Sequence, residues 1–173
     1  RNILSLAALD DLTSLTAPIY FTHVRFGAYF REMMVTASND YGIHPLLMYA
    51  LVRQESMFNP YITSAVGASG LAQIMPATGK ENVDLLGWPD NYESIDLLKG
   101  EVSIELGAFY LNRMQKYLDG NIQAALAAYN AGPGFAEQWL ALANGEPDLF
   151  LEVMRASETQ DYLMQIMEFL NIY

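Results

Sequence analysis

Apolar residues recur at helical spacing along almost the whole chain from Phe26 onward, and this periodicity limits the possible folds more than any other feature. The sequence lacks the sustained alternation of apolar and polar residues that marks half-buried strands, so we expect little or no β-sheet. Turn signals such as Asp119-Gly120 separate the periodic segments. The sequence therefore predicts an all-α domain. Its predicted helices cover residues 26–40, 45–56, 70–75, 77–86, 98–118, 121–130, 135–143, 147–156 and 159–171.

The chain has 173 residues, of which 52% are hydrophobic and 17% charged, and this is enough for one domain with a substantial core. We expect that domain to occupy residues 26–173. Residues 1–25 form a lead-in with a short helical segment, which we interpret as the remnant of a preceding region. Because the chain starts at Arg1 rather than Met, we expect it to be part of a longer protein with further domains.

The net charge of −11 argues against nucleic acid as a partner, because phosphate binding needs a basic surface. It also argues against electrostatic attachment to anionic lipids, and no apolar run is long enough to span a membrane. With no cysteine and only two histidines, His23 and His44, the sequence predicts no metal site and no organic cofactor. We interpret His44, which precedes Pro45, as the cap of a helix.

Glu55 stands at the end of an apolar helical run, immediately before a polar loop. At helical spacing it shares a face with Met48, Leu51 and Val52, and that face should be buried. Burial disfavours the charged form of a carboxyl group, and so does the negative end of a helix dipole, so both would raise the pKa of Glu55. A raised pKa suits a general acid that works near neutral pH. The alternative is a solvated residue at a helix end.

A loop punctuated by Gly67 and Gly70 follows this helix. Residues 71–75 then resemble a short helical turn, and Pro76 is typical of the first position of the next helix. The spacing therefore predicts a structured loop between two helices.

Two later segments combine helix boundaries with polar side chains. Tyr129 and Asn130 end a helix that Gly132-Pro133-Gly134 breaks. Ser157, followed three residues later by Gln160 and then by an apolar run, matches a capping box at the start of the last helix.

Together these segments resemble the catalytic domain of the soluble lytic transglycosylases, lysozyme-like enzymes that cleave bacterial peptidoglycan. The motifs stand in the family's order and at its approximate spacing, and the resemblance extends over roughly residues 26–173. One motif alone would be weak evidence, whereas four in order are specific. The four are Gln54-Glu55-Ser56, Gly67-Ala68-Ser69-Gly70-Leu71-Ala72-Gln73-Ile74-Met75-Pro76, Ala128-Tyr129-Asn130-Ala131-Gly132, and Glu158-Thr159 before Tyr162.

Two positions depart from the family's pattern. The family usually has Met where this chain has Ala72, and it often has Arg where this chain has Gln160. The first change would reshape one subsite. The second would remove a positive charge near Glu158. Neither change touches Glu55.

The resemblance implies a compact lysozyme-like fold with a substrate groove, and a reaction that needs a single glutamate. Glu55 would protonate the glycosidic oxygen between N-acetylmuramic acid and N-acetylglucosamine, while the substrate's N-acetyl group stabilises the positive charge at the anomeric carbon. Glu55 would then take the proton of the C6 hydroxyl, which attacks to give a 1,6-anhydro product. Most other glycosidases use two carboxylates.

The resemblance also implies substrate contacts from the glycine-punctuated loop. Ser64 and Gln73 would hydrogen-bond sugar substituents near the cleaved bond, and Met75 would supply an apolar wall. Capping of the loop or helix is the alternative for Ser64 and for Ser56.

Three further residues receive roles in the same way. Tyr129 would lie close to the glycosidic oxygen or the acetamido group, and Asn130 would shape its loop or bind sugar. Glu158 would lie across the groove and orient the substrate or Tyr129. For Tyr129 the alternative is core packing with a satisfied hydroxyl.

The implied partner is the glycan strand of peptidoglycan, and the implied location is outside the cytoplasm, in the periplasm or cell envelope. We expect a monomer. Two other functions remain open at this point. A muramidase of the goose-lysozyme kind would use a similar glutamate but deliver water, and an inactive peptidoglycan-binding module would keep the groove without cleaving the strand.

Overall fold

The computed structural model describes residues 26–154 and 157–173. Over these ranges the chain forms eight α-helices and one short 3-10 helix. They are α1 (Arg31–Tyr41), α2 (Pro45–Ser56), α3 (Pro76–Leu86), the 3-10 helix Ser94–Leu98, α4 (Gly100–Tyr117), α5 (Ile122–Ala131), α6 (Pro133–Ala143), α7 (Pro147–Val153) and α8 (Ser157–Ile172). The predicted lead-in over residues 1–25, with His23, and the side chain of Ser157 lie outside the described residues.

The all-α prediction is confirmed, and several helix boundaries follow from local sequence signals. At the start of α2 the backbone N–H of Leu46 donates to His44 Nδ1 over 3.3 Å, so His44 caps the helix as predicted. Pro76 opens α3. The first helix begins at Arg31 rather than at residue 26, because Phe30 has a φ of 54° and left-handed backbone cannot continue a helix.

The predicted helical turn over residues 70–75 is wrong. This segment makes turns and isolated antiparallel bridges, in which Ser69 pairs with both Thr63 and Ile74. Gln73 has a φ of 47°, which interrupts any helix. Gly70 has a φ of 80°, and a Cβ there would lie 1.8 Å from the Leu97 carbonyl oxygen. The loop is therefore shaped by its close approach to a distant segment rather than by its own helical spacing.

The predicted helix over residues 98–118 corresponds to α4, which runs from Gly100 to Tyr117. The 3-10 helix Ser94–Leu98 precedes α4, and Lys99, in extended backbone, separates them. Glu93 and Asp96 form a reciprocal capping box at the start of the 3-10 helix. The sequence, with Gly87, Trp88 and Pro89, predicts a loop over residues 87–96, but the 3-10 helix begins within it at Ser94.

Helix α4 lies at the centre of the domain and packs against α1, α3 and α5. Four small residues of α5 are fully buried, which lets its backbone come close to its neighbours α4 and α6. They are Ala124, Ala125, Ala127 and Ala128. Helix α2 packs against the C-terminal helix α8.

One contact that holds α2 against α8 involves a buried cation. The guanidinium of Arg53 lies 4.2 Å from the ring centroid of Phe26 and 4.7 Å from that of Phe169 on α8. Arg53 directly precedes Gln54 and Glu55, so this packing positions the end of α2. Among the described residues, no helix is both long and apolar enough to cross a bilayer.

Candidate active site

Glu55 is the penultimate residue of α2, and the helix ends abruptly after it. Met57 and Phe58 both have positive φ values, 52° and 61°, which non-glycine residues adopt rarely and at some cost in backbone strain. The N–H of Met57 donates to the carbonyl of Arg53 and closes the last turn. On the same face as Glu55, Met48 is fully buried. The carboxyl group therefore sits where a buried helical face meets the loop.

Two opposing effects act on the Glu55 carboxyl group. Burial raises its pKa and a hydrogen bond from Tyr162 partly offsets that rise, and together they move the pKa from 4.5 to about 7. The Tyr162 hydroxyl donates to Glu55 Oε1 over 2.5 Å, a distance typical of a bond to a charged oxygen. Near neutral pH Glu55 can therefore either donate or accept a proton.

A cavity of about 380 Å³ opens next to this carboxyl group. It lies between the end of α2, the end of α5 and one face of α8. Of the residues predicted for the site, it brings Glu55, Asn130 and Glu158 together. Its lining residues are Gln54, Glu55, Asn130, Glu158, Asp161, Tyr162 and Gln165.

Four of these lining residues had no predicted role, namely Gln54, Asp161, Tyr162 and Gln165. For the three on α8, however, the sequence contained a helical spacing that could have identified them. Glu158, Asp161, Tyr162 and Gln165 follow one another at helical spacing and so share one face. This mainly polar face of α8 forms one wall of the cavity.

Tyr129 joins α5 to the glycine-punctuated loop. Its hydroxyl donates to the carbonyl of Ala72 over 2.8 Å, and its ring packs against Tyr110 with 5.1 Å between centroids. Burial, together with the nearby Glu55, raises the pKa of Tyr129 well above its usual range. Tyr129 therefore stays neutral, as does Tyr162, whose pKa is raised by burial and by Glu55.

The three predicted loop residues do not line this cavity. Ser64 Oγ accepts a hydrogen bond from the N–H of Ala68 over 3.0 Å, which is the capping role considered above. Gln73 Nε2 donates to the carbonyls of Gly70 and Ile62, at 2.9 Å and 3.2 Å. Met75 is 40% exposed and stands immediately before α3. Ser64 and Gln73 thus stabilise the loop itself.

Ala72, the first departure from the family's pattern, is fully buried against α4. Its N–H donates to Ser103 Oγ over 3.0 Å. A Cβ placed on Gly107 would lie 2.5 Å from the Ala72 Cβ and 3.2 Å from the Tyr129 hydroxyl. The glycine-punctuated loop and α4 therefore approach each other so closely at Gly107 that only glycine fits there.

Gln160, the second departure, points to another helix rather than into the cavity. Its Nε2 donates to the carbonyl of Leu151 on α7 over 3.0 Å. The neighbouring Thr159 donates to Asn130 Oδ1 over 2.7 Å. The start of α8 is therefore tied to both α5 and α7. Within residues 26–154 and 157–173, no group of three or more His, Asp or Glu side chains could hold a metal ion.

A family model described as the transglycosylase SLT domain matches residues 32–149, more than half of the chain. The chain belongs to the transglycosylase SLT domain family. The soluble lytic murein transglycosylase of Salmonella typhimurium is 35% identical to this SLT domain over 147 residues, which are 84% of the chain and 23% of that relative. The resemblance found in the sequence is thereby confirmed.

Solved structures agree with the fold of this SLT domain. The 70 kDa soluble lytic transglycosylase from Escherichia coli superposes with a TM-score of 0.83 at 32% identity, covering 88% of this chain and 25% of that one. The lytic transglycosylase Slt from Pseudomonas aeruginosa, solved as an inactive Glu-to-Gln mutant, gives a TM-score of 0.79 at 34% identity, with 87% and 25% covered. The predicted lysozyme-like fold is confirmed, and the chain spans about a quarter of these relatives.

Proposed function

We propose that residues 26–173 are the catalytic unit of a peptidoglycan lytic transglycosylase. It cleaves the β-1,4 bond between N-acetylmuramic acid and N-acetylglucosamine and leaves a 1,6-anhydromuramic acid end. The observation that carries this proposal is the Glu55 carboxyl group, which has a pKa of about 7 and lines an open cavity. The names of its relatives, soluble and membrane-bound lytic murein transglycosylases, support the same reaction.

The reaction needs Glu55 first as an acid and then as a base. Protonated Glu55 donates to the glycosidic oxygen as the bond to the anomeric carbon breaks, and the substrate's N-acetyl group stabilises the positive charge. The Glu55 carboxylate then removes the proton of the C6 hydroxyl, whose oxygen attacks the anomeric carbon. Glu55 ends protonated, as it began, and no water is consumed. A pKa near the working pH makes both transfers efficient.

The Tyr162 hydroxyl supports the second half of this sequence. It donates to Glu55 Oε1, so it stabilises the carboxylate that forms after the first proton transfer. It also holds the carboxyl group in one orientation. Because its own pKa is strongly raised, Tyr162 remains a donor throughout the working pH range.

The remaining predicted residues would hold the glycan strand. Asn130 and Glu158 line the cavity with Glu55 and would hydrogen-bond sugar groups. Tyr129 would help to hold the transition state. Ser64, Gln73 and Met75 would contribute from the loop, and the hydrogen bonds within that loop keep it in one shape.

One observation favours hydrolysis as a second candidate. Glu158 and Asp161 line the same cavity as Glu55, so a second carboxylate is available to activate a water molecule. The muramidase reaction would then give a reducing end instead of an anhydro end. The two products differ by one water in mass.

Mass spectrometry of fragments released from purified peptidoglycan tests the proposal, with wild type and Glu55→Gln compared side by side. We expect anhydro-ended fragments from wild type, and a rate lower by at least about a hundredfold from the variant, since it lacks the proton. Reducing-end fragments would establish the muramidase instead. Equal cleavage by both proteins would refute the role of Glu55, and no cleavage with retained binding would indicate a binding module.

We further propose that the domain works outside the cytoplasm, where peptidoglycan lies, as a monomer within a larger protein. The much greater length of the relatives supports the presence of further domains in the parent protein. Sedimentation of the purified domain would test the monomeric state.

A further inference from the structure

The hydrogen bond between Thr159 and Asn130 joins the start of α8 to the end of α5 at the edge of the cavity. Thr159 Oγ1 donates to Asn130 Oδ1 over 2.7 Å. The two residues are 29 positions apart, so the bond forms only because α8 packs on α5. Asn130 itself is exposed and lines the cavity together with Glu55.

Burial makes this bond necessary for Thr159. The residue is only 2% exposed, and a buried hydroxyl without a partner would destabilise the fold. A buried serine hydroxyl next to Glu55 in sequence, Ser56 Oγ, donates to the carbonyl of Val52 within its own helix over 3.1 Å. Thr159 instead bonds a side chain that faces the cavity, and so it can affect what the cavity binds.

The direction of the bond determines which part of the Asn130 amide remains free. Because the hydroxyl donates to Oδ1, the amide oxygen is engaged and Nδ2 stands on the opposite branch. Within the described part of the chain, no protein group accepts a hydrogen bond from Nδ2. A free asparagine could turn either branch of its amide toward a ligand, whereas here the unbonded branch is Nδ2 with its two N–H donors.

The hydrogen-bond donors of the cavity come from its amide side chains, those of Asn130, Gln54 and Gln165. Glu158 and Asp161 offer acceptor oxygens when ionised, and the Tyr162 hydroxyl is already bound to Glu55. Sugar hydroxyls can satisfy the carboxylates, but the ether and carbonyl oxygens of a glycan strand can only accept. They therefore require a donor from the protein.

We propose that Thr159 is a positioning residue that fixes Asn130 as a hydrogen-bond donor to an acceptor oxygen of the glycan strand beside the cleaved bond. This inference rests on the proposed function, because it takes peptidoglycan as the ligand. Orienting the amide before the strand binds removes the entropic cost of selecting one of its two orientations. Thr159 acts on the strand only through Asn130.

The first test compares Thr159→Val, which keeps the shape but lacks the hydroxyl, with Thr159→Ser, which keeps the hydroxyl. One readout is kcat/KM for fragment release. The other is the Kd for insoluble peptidoglycan, measured in a Glu55→Gln background, so that binding is scored even if the bond-cleaving role of Glu55 is wrong. Thr36→Val on the exposed face of α1 is the matched control.

We expect Thr159→Val to weaken binding and to lower kcat/KM by roughly three- to tenfold, the range of a single net hydrogen bond. Thr159→Ser should restore most of that loss, and Thr36→Val should change neither value. Thr159→Val could instead melt at a lower temperature but bind and cleave like wild type. The hydrogen bond would then serve only the stability of the fold, and the proposal would be overturned.

The second test asks whether the hydroxyl acts through Asn130. In an Asn130→Ala background, Thr159→Val should cause no further loss, since the group it orients is gone. Additive losses would overturn the proposed coupling.

Asn130→Asp tests which polarity the strand requires. It keeps the oxygen that Thr159 binds but replaces the two N–H donors by a second acceptor. We expect it to bind the strand at least as poorly as Asn130→Ala. Wild-type binding by Asn130→Asp would overturn the proposal, and this comparison decides the question even if Thr159→Val fails to fold.

Discussion

Replacing Glu55 by Gln is expected to stabilise the folded domain above neutral pH and to change its stability little in acid. Burial raises the pKa of Glu55 from 4.5 to about 7 in the folded chain. Between these values the folded state keeps a proton that the unfolded chain releases, so the wild type loses stability as pH rises through this window. Gln carries no titratable proton and therefore escapes that loss.

The size of the effect follows from the pKa difference. At about 1.4 kcal/mol per pKa unit, a rise from 4.5 to about 7 corresponds to about 3 kcal/mol, and contact of Glu55 with the open cavity lowers this to about 2–3 kcal/mol. For a domain of this size, that difference corresponds to a shift in melting temperature of about 5–10 °C.

Thermal unfolding followed by far-UV circular dichroism, at about pH 4 and about pH 9, measures this difference directly. Subtracting the wild-type melting temperature from that of Glu55→Gln at each pH cancels the titrating groups that do not interact with Glu55. The same substitution at exposed Glu152 on α7 controls for the loss of one negative charge. Equal differences at both pH values would show that Glu55 is not desolvated, and the argument for its acid role would fail.

Two further predictions concern the surroundings of Glu55. Tyr162→Phe removes the hydrogen bond that favours the carboxylate, so the pKa of Glu55 should rise. The limb of the pH profile of kcat/KM that requires protonated Glu55 should then move to higher pH, and an unmoved profile would contradict this. Gly107→Ala places a Cβ 2.5 Å from that of Ala72 and should destabilise the domain by about 1–3 kcal/mol in chemical denaturation, because the loop must move. Gly134→Ala, in α6 with open space at its Cβ, is the matched control and should be neutral or stabilising, so equal losses at both glycines would refute the packing explanation.

The helical elements could largely be predicted because their signals are local. His44 and Pro45 specify the start of α2 from adjacent positions, and the apolar face that includes Met48 follows from spacing alone. Where a distant segment intervenes, local signals mislead. The loop after Gly70 presses against Leu97, and this contact, rather than helical spacing, determines its backbone.

In the candidate site, too, features that depend on neighbouring residues could be predicted, and features that depend on distant residues could not. The placement of Glu55 on an apolar helical face, close to the helix end, was evident from neighbouring residues, and it led to the prediction of a raised pKa. The partner of its carboxyl group was not evident, because Tyr162 lies 107 positions away. Gln73 stands in a family motif and Ser64 shortly before it, yet their hydrogen bonds within the loop become visible only once the chain is folded.

The sequence by itself determined the helical class of this domain, its family, and the residue able to act as an acid, since each depends on residue types at short spacing. Only the tertiary structure decided how that acid is tuned and what surrounds it. The packing of α2 and α5 on α8 places the Tyr162 hydroxyl on Glu55 and the Thr159 hydroxyl on Asn130. The desolvation of Glu55 and its hydrogen bond depend on which surfaces come into contact in the folded chain, and a local sequence pattern does not determine those contacts.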